Sequence, residues 1–573
     1  MSPTFCNRCG DAVEERRDPW DELDELDALS DRLRLKRYDL KSNINRFHSP
    51  IAPTFCNHCR DAVEKGCDPW DELSELEALS ERLRLRRYNL KGKINRFHSS
   101  IIRQLPPDVT STIFEFCLPD LTENHDQLSS FTKEDLSIPL SLGAICNHWR
   151  NIAWSTPSLW SSLVVRVKRN HDADILAGIA QEWLARSGRL PLSIRIFSEY
   201  HGSNKISALA DIINLYSARW SDLDLYIPVS CYQHFHATDN HAPILKSIRF
   251  RSSAYFGMMT NFQLTCPRLE RACLSSLSLY GSNIQWDNLT HLTLHRMSIV
   301  RSLRILRETP RLVFCKVLDS YSRFVEPNIG LSGTPFITPL RSLQLLITSH
   351  AEHFLNNLIA PHLEEFTGSL PNYYDPSKME DINSFLRRST CSLRSFSIIF
   401  IIFPPYFEGF MGLLQTMPSI NTLSIISTAT TKYSVITGLQ DSFPQKIFQL
   451  VAKVLSSQST SLQGFLPNLK ILEYTGMLNL RPRHFDDLCL CSLLPPDNAV
   501  HGSLRLLRLD LHPATRIPKH MISYLSGLVE RGVAVKVLSK SEDILQSSIN
   551  HHRFRKDALC SDWYDKLDSN LFS

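Results

Sequence analysis

Leu289-Thr290-His291-Leu292-Thr293-Leu294 decides how most of this chain folds. Its L-x-x-L-x-L spacing puts Leu292 and Leu294 on one face of a short strand and Thr293 on the other, with Leu289 just ahead of the strand. The unit recurs on both sides. Upstream stand Trp220-x-x-Leu223-x-Leu225, Leu245-x-x-Ile248-x-Phe250 and Leu269-x-x-Ala272-x-Leu274. Downstream stand Leu312-x-x-Cys315-x-Val317, Leu340-x-x-Leu343-x-Leu345, Leu363-x-x-Phe366, Leu393-x-x-Phe396-x-Ile398, Ile420-x-x-Leu423-x-Ile425, Leu469-x-x-Leu472-x-Tyr474 and Leu504-x-x-Leu507-x-Leu509. Pro267, Pro310, Pro361, Pro418 and Pro467 lie two residues ahead of their units. Each strand carries an apolar face that only a neighbouring unit can cover. The pattern therefore predicts a stacked parallel sheet with helices outside it.

The early units start 20 to 28 residues apart, and later gaps widen to 49. That spacing resembles an irregular leucine-rich-repeat array, similar to those that follow F-boxes in many fungal proteins. An ordinary α/β domain with leucine-rich strands is the alternative. The resemblance implies a long concave face for a target protein, with Arg249, His291, Arg394 and Arg508 as candidate contacts or as plain solvated residues.

Ahead of the repeats lies Leu105-Pro106-Pro107-Asp108-Val109-Thr110-Ser111-Thr112-Ile113-Phe114-Glu115-Phe116-Cys117. Pro107 suits the first turn of a helix, where its missing N–H is no loss. Val109, Ile113, Phe116 and Cys117 follow at helical spacing and predict one apolar stripe. A second helix is expected to bury Leu140, Ile145, Trp149 and Ile152, with Trp160 beyond Pro157. So small a helical unit buries its apolar surface only in part, which points to a partner. The segment resembles an F-box: Leu105-Pro106 and Ile113-Phe114 are similar to its opening, and Cys146, Trp149-Arg150 and Leu159-Trp160 to its later signature. Asp108 stands where Glu is commoner, and Leu121 to Ile138 is an insertion. The resemblance implies docking on a Skp-family adaptor and cullin complex through Leu105, Pro106, Pro107, Ile113 and Phe114, with Trp149 and Trp160 holding the helices.

Residues 3–50 and 53–100 are near copies, identical at 35 of 48 positions. In each copy Asp18 or Asp68 can cap a helix that the next proline opens, acidic residues crowd its start and basic ones its end. A helix of about 28 residues is expected. Leu26, Leu29, Leu33 and Leu40, and likewise Leu76, Leu79, Leu83 and Leu90, have coiled-coil spacing, with Lys36 and Asn43 as polar inner positions. The copies can pair with each other as an antiparallel hairpin, or each can self-associate with another chain; a solvated spacer is the third reading. Cys6-x-x-Cys9 and Cys56-x-x-Cys59 have the spacing of half a zinc site each, so the four thiols could hold one zinc ion or remain a reduced tail.

The chain as a whole has 573 residues, 43% of them hydrophobic and 21% charged, with net charge +4. That balance argues against nucleic acid as the main partner. The longest apolar run, Phe396 to Phe403, stops at Pro404-Pro405 and reads as a buried strand, so no membrane span is expected. With no apolar leader at the start and 15 cysteines, the expected compartment is cytoplasmic or nuclear, with reduced thiols. Cys117, Cys146, Cys273 and Cys315 are expected to behave as small hydrophobes. No phosphate loop, nucleophile elbow or H-E-x-x-H helix occurs, and Cys231, His234, His236 and His241 read as a loop before a metal site. No enzyme activity and no cofactor other than the zinc are expected.

The expected fold class is α+β: N-terminal long helices and a three-helix F-box-like domain, then an irregular leucine-rich-repeat-like α/β solenoid. The expected divisions are 1–50 and 51–100 for the two copies, 101–165, 166–540, and a tail over 541–573. The leading functional expectation is a substrate-recognition subunit of an SCF-type ubiquitin ligase with an unknown target. The alternative is a non-catalytic scaffold assembling through its N-terminal helices.

Overall fold

The computed structural model describes residues 4–5, 12–13, 19–47, 69–98, 105–119, 137–167, 172–198, 206–252, 263–275, 283–318, 334–346, 351–370, 377–400, 407–427, 450–451, 453–455, 465–476, 503–511, 517, 519–539 and 542–550. Two units divide the chain: Met1–Ser162 with Trp183–Leu190, and Leu163–Glu182 with Pro191–Ser573. The return of Trp183–Leu190 to the first unit has no sequence signal.

After a short antiparallel strand pair, Thr4–Phe5 with Ala12–Val13, the first unit has two long helices, α1 (Pro19–Phe47) and α2 (Pro69–His98), each starting on its proline. They pack antiparallel: Arg86 reaches Glu22 at 2.8 Å, Arg87 reaches Asp27 at 2.6 Å and Lys41 reaches Glu77 at 2.9 Å. Opposed charge gradients make this direction favourable, because the acidic start of each helix meets the basic end of the other. Leu23, Leu26, Leu33, Leu73 and Leu90 are buried in the seam. The phase differs from the expected one. Leu29 and Leu79 face out, Lys36 is exposed, and Ser30 and Ser80 with Arg37 and Arg87 take half-buried inner positions. The inner row then repeats at 23, 26, 30, 33, 37 and 40, a strict three-four alternation that the polar residues hide from hydrophobicity alone. The Asn43 side chain lies outside the described residues.

Three short helices follow: α3 (Pro107–Phe116), α4 (Ile138–Ile145) and α5 (Asn147–Ser155), with a 3-10 turn at Pro157–Trp160. Residues 120–136, which hold most of the expected insertion, lie outside the described residues, and Ile138 already belongs to α4.

The second unit is mixed α/β and is built on one large, mostly parallel sheet. Its strands are β1 (Ser162–Val167), β2 (Leu192–Ser198), β3 (Trp220–Tyr226), β4 (Ser247–Arg251), β5 (Arg271–Ser275), β6 (His291–His295), β7 (Phe314–Leu318) and β8 (Ser342–Leu346). They continue as β9 (Glu365–Leu370), β10 (Ser395–Phe400), β11 (Thr422–Ser427), β12 (Ile471–Gly476), β13 (Leu506–Leu511), β14 (Ala534–Ser539) and β15 (Glu542–Asp543). All fifteen lie in unbroken sequence order. Every neighbouring pair from β2 to β14 is parallel, and β15 turns back antiparallel on β14.

Register explains why the leucine pattern works. Leu223, Ile248, Ala272, Leu292, Cys315, Leu343, Phe366, Phe396, Leu423, Leu472 and Leu507 are direct cross-strand partners in one continuous ladder, all buried. A second ladder runs two residues on, from Leu225 through Leu294 to Leu509. Gly368 occupies this second ladder, and a Cβ there would meet the Phe366 ring at 2.9 Å. The missing third apolar residue of that unit is thus replaced by Phe366, which stacks on Phe396 at 5.9 Å.

A backbone device closes the nine junctions from β4–β5 to β12–β13. The Lys246 carbonyl accepts from both Glu270 N (2.9 Å) and Arg271 N (3.0 Å), and the Glu270 carbonyl accepts from Thr290 N and His291 N in turn. Thr290, Val313, Arg341, Glu364, Arg394, Asn421 and Lys470 repeat the arrangement. The side chain is irrelevant to such a bond, which is why these positions carry Lys, Glu, Thr, Val, Arg and Asn alike.

At the far end, Ile544 is buried and the Ser548 hydroxyl accepts from Ile517 N at 3.1 Å. Residues 542–550 therefore belong with the sheet unit, beyond the expected limit at 540; residues 551–573 lie outside the described residues.

Candidate protein-docking site

The three short helices hold one another by their buried sides. Phe114 is fully buried on α3 and packs on Trp149 of α5, ring centroids 4.9 Å apart. Ser111 Oγ and Thr156 Oγ1 share a hydrogen bond of 2.9 Å, and Glu115 accepts one from the Ser158 hydroxyl. Between α4 and α5, a Cβ on Gly143 would run into the Trp154 ring, so only glycine allows the approach. Arg150 Nε then donates to the Gly143 carbonyl at 2.8 Å. Trp160 is buried, donates to the Ala153 carbonyl at 2.7 Å, and meets the edges of Trp154 and Trp183 at 5.5 and 4.8 Å. Arg186 lies over Trp154 and Trp160, 5.3 and 5.1 Å from the ring centroids. This packing explains why Trp183–Leu190 joins the first unit.

Sequence and structure part at Leu140 and Ile145, which were expected on a buried side. Val109, Ile113 and Phe116 form the apolar stripe of α3, and all three are exposed, Phe116 to 87%. The packed side of α3 is Thr110 and Phe114 instead. On α4, Leu140 and Ile145 are exposed, while Leu142 and Gly143 face inward. Of the predicted docking residues, Leu105 is half-buried, Pro106, Pro107 and Ile113 are exposed, and Phe114 has no surface to offer a partner. Trp149 is half-buried and Trp160 fully buried, so both act by packing.

The cysteines divide similarly. Cys315 is buried in the sheet, where desolvation pushes its thiol up to about 12. Cys117 is exposed, contrary to expectation, and Cys146 and Cys273 are half-buried. Cys146 instead caps α5, its sulfur accepting from Trp149 N at 3.4 Å. Sequence reasoning missed this cap, since a thiol is an uncommon capping group.

On the sheet, Arg249, Arg394 and Arg508 reach Asp224, Glu364 and Glu473 on the preceding units at 3.4, 3.5 and 3.8 Å. His291 is exposed and stacks on Phe314 at 5.8 Å; desolvation and Arg271 hold its pKa below the ordinary value. Asp224 is buried and also accepts from Arg251 at 3.0 Å, with Arg195 its direct register partner on β2. Burial lowers the Arg195 pKa and Asp224 opposes that shift. Arg251 in turn lies over Phe197 and Tyr226.

Cys231 is buried, its thiol raised by desolvation, and His236 shares a hydrogen bond with Asn214 at 3.3 Å. Among the described residues no group of three His, Cys, Asp or Glu side chains is placed to hold a metal. Cys6, Cys9, Cys56 and Cys59 lie outside the described residues. Among the described residues no helix is long and apolar enough to cross a membrane. Comparison with protein-family models and with curated proteins finds no match to this chain.

Proposed function

We propose that residues 105–160 act as an F-box and that the chain is the substrate-recognition subunit of an SCF-type ubiquitin ligase. A Skp-family adaptor, and through it a cullin complex, would dock on the short helices; a target protein would dock on the sheet unit. One observation carries this reading: Val109, Ile113, Phe116, Leu140 and Ile145 stay uncovered on helices whose opposite sides are closely packed. Covering such side chains completely contributes roughly 1.5–3 kcal/mol each, the scale on which interface anchors work.

We read the sheet as a leucine-rich-repeat-like array. Sequential strand order, two continuous buried ladders and a shared carbonyl at each junction from β4–β5 to β12–β13 support that reading. The mechanism is proximity: a target held on the sheet meets the ubiquitin-charged enzyme at a raised effective concentration. This reading gives the chain itself no catalytic step.

The test is binding of purified full-length chain to a Skp-family adaptor. Ile113→Asp with Phe116→Asp should abolish capture without lowering the melting temperature, and Leu105→Ala with Pro106→Ala should do the same. Undiminished capture by the folded variants removes the proposal.

A further inference from the structure

We propose that the face of β2–β7 opposite the buried ladders docks an acidic segment of the target protein, one in which carboxylates are interspersed with apolar side chains. This rests on the reading of the sheet unit as a target receptor and uses no residue of the short helices. Side chains that alternate with the two ladders leave the sheet on its other face. On β2–β7 that face carries Arg195, Arg249, Arg251, Arg271 and Lys316 against Asp222 and Asp224. Over β8–β14 the balance reverses, with Glu365, Glu473 and Asp510 against Arg508 and Lys536. A chain of net charge +4 thus gathers five positive side chains against two negative ones on six adjoining strands. Those strands span about 24 Å at the usual strand spacing.

The local acids do not balance this charge. Arg249 and Arg251 both reach Asp224, at 3.4 and 3.0 Å, and Arg195 is its register partner, so three guanidiniums crowd one buried carboxylate. Burial lowers the Arg195 pKa most; Asp224 and Asp222 oppose the fall, and Arg249 and Arg251 add to it. Further along, Arg271 is exposed and Lys316 half-buried, and β5, β6 and β7 hold no acidic residue. A face dominated by one sign of charge attracts the opposite sign. Aromatic rings lie among these cations: Arg251 over Phe197 and Tyr226, and Phe314 against His291. Arginine beside aromatic rings is a composition on which interface energy concentrates. The same face continues into half-buried Leu318 beside Leu346, and Ile399 beside Ile426. A peptide mixing carboxylates with apolar side chains matches both parts, whereas a phosphate backbone matches only the first.

The experiment pans the full-length chain against a phage-displayed library of random twelve-residue peptides. Selected sequences should be rich in Asp and Glu interspersed with Leu, Ile or Phe. The tightest, synthesised with a fluorophore, should bind at least about tenfold more weakly to Arg271→Glu with Lys316→Glu. Should that pair unfold the chain, Arg271→Gln with Lys316→Gln should still weaken binding several-fold. An equal charge change on the other part of the sheet unit, Lys470→Glu with Lys536→Glu, should leave the affinity unchanged. Selection of neutral or basic sequences overturns the proposal, and so does a library that yields no binder. Equal weakening by the two glutamate pairs also overturns it, as does displacement of the peptide by single-stranded DNA of the same charge at the same concentration. Ile113→Asp with Phe116→Asp should leave peptide binding intact. Acidic-peptide binding by a chain that captures no adaptor upholds this site and removes the ubiquitin-ligase reading; adaptor capture by a chain that selects no acidic peptide does the reverse.

Discussion

The chain repeats itself in two regions, and the repeats behave in opposite ways. In the front hairpin, two copies are nearly identical, run antiparallel and leave large apolar side chains outside. In the sheet, eleven units share little beyond two or three apolar positions, run parallel and bury those positions almost completely. A sheet unit has a neighbour on each side, so its core closes by addition; a helix in the hairpin has one neighbour and closes on one side only. Closure depends on the number of neighbours and not on how well a motif is preserved.

That contrast is broken most directly in the middle of the sheet. Leu292→Ala, with ladder partners on both flanks, should cost about 2–5 kcal/mol in the urea transition of the sheet unit. A cost below 1 kcal/mol would mean the ladders do not share one core. Asp224→Ala should follow at about 3 kcal/mol, because Arg249 and Arg251 lose their buried counter-charge. Arg251→Leu in that background should recover part of the loss.

The hairpin should respond less. Leu26→Ala is expected to cost about 1–2 kcal/mol, below the usual range for a core leucine because its seam is one layer deep; hydrogen exchange of residues 21–40 measures it. Acid should act in the same direction and more weakly. The Lys41 ammonium, hydrogen-bonded to Glu77, holds its carboxyl below the ordinary value. The folded pKa is the lower one, so the contribution is present above the unfolded pKa and fades as pH falls through the folded one. Glu77→Gln should flatten the acid-induced rise in exchange over 71–90. The smallest effect on stability is expected at Phe116→Ala, within about 0.5 kcal/mol, as its ring touches mostly solvent.

Much of the fold was legible because it rests on periodicity. The helices begin at Pro19 and Pro69 as their caps and charges indicate, and the leucine spacing marks each of the strands from β3 to β13. The unread parts are those where polar residues carry the packing or where distant residues meet. Ser30 and Arg37 sit inside the hairpin while Leu29 does not, because Arg37 and Arg87 extend toward acids on the facing helix. In α3, period alone defined a stripe but not which side would be covered; Phe114 won the interior through Trp149, 35 residues away. Gly143 against Trp154 and Trp183 against Trp160 are likewise meetings that spacing does not announce.

The carbonyl shared at the entries of β5 to β13 leaves the connections between those strands free to vary. Because the clamp is main-chain only and sits at the beginning of the strand, the connecting stretch can lengthen or shorten without disturbing alignment, as the step from 20 to 49 residues already illustrates. Loop length and composition are thereby freed from the demands of the core, and the rim of the sheet can vary while its interior stays the same.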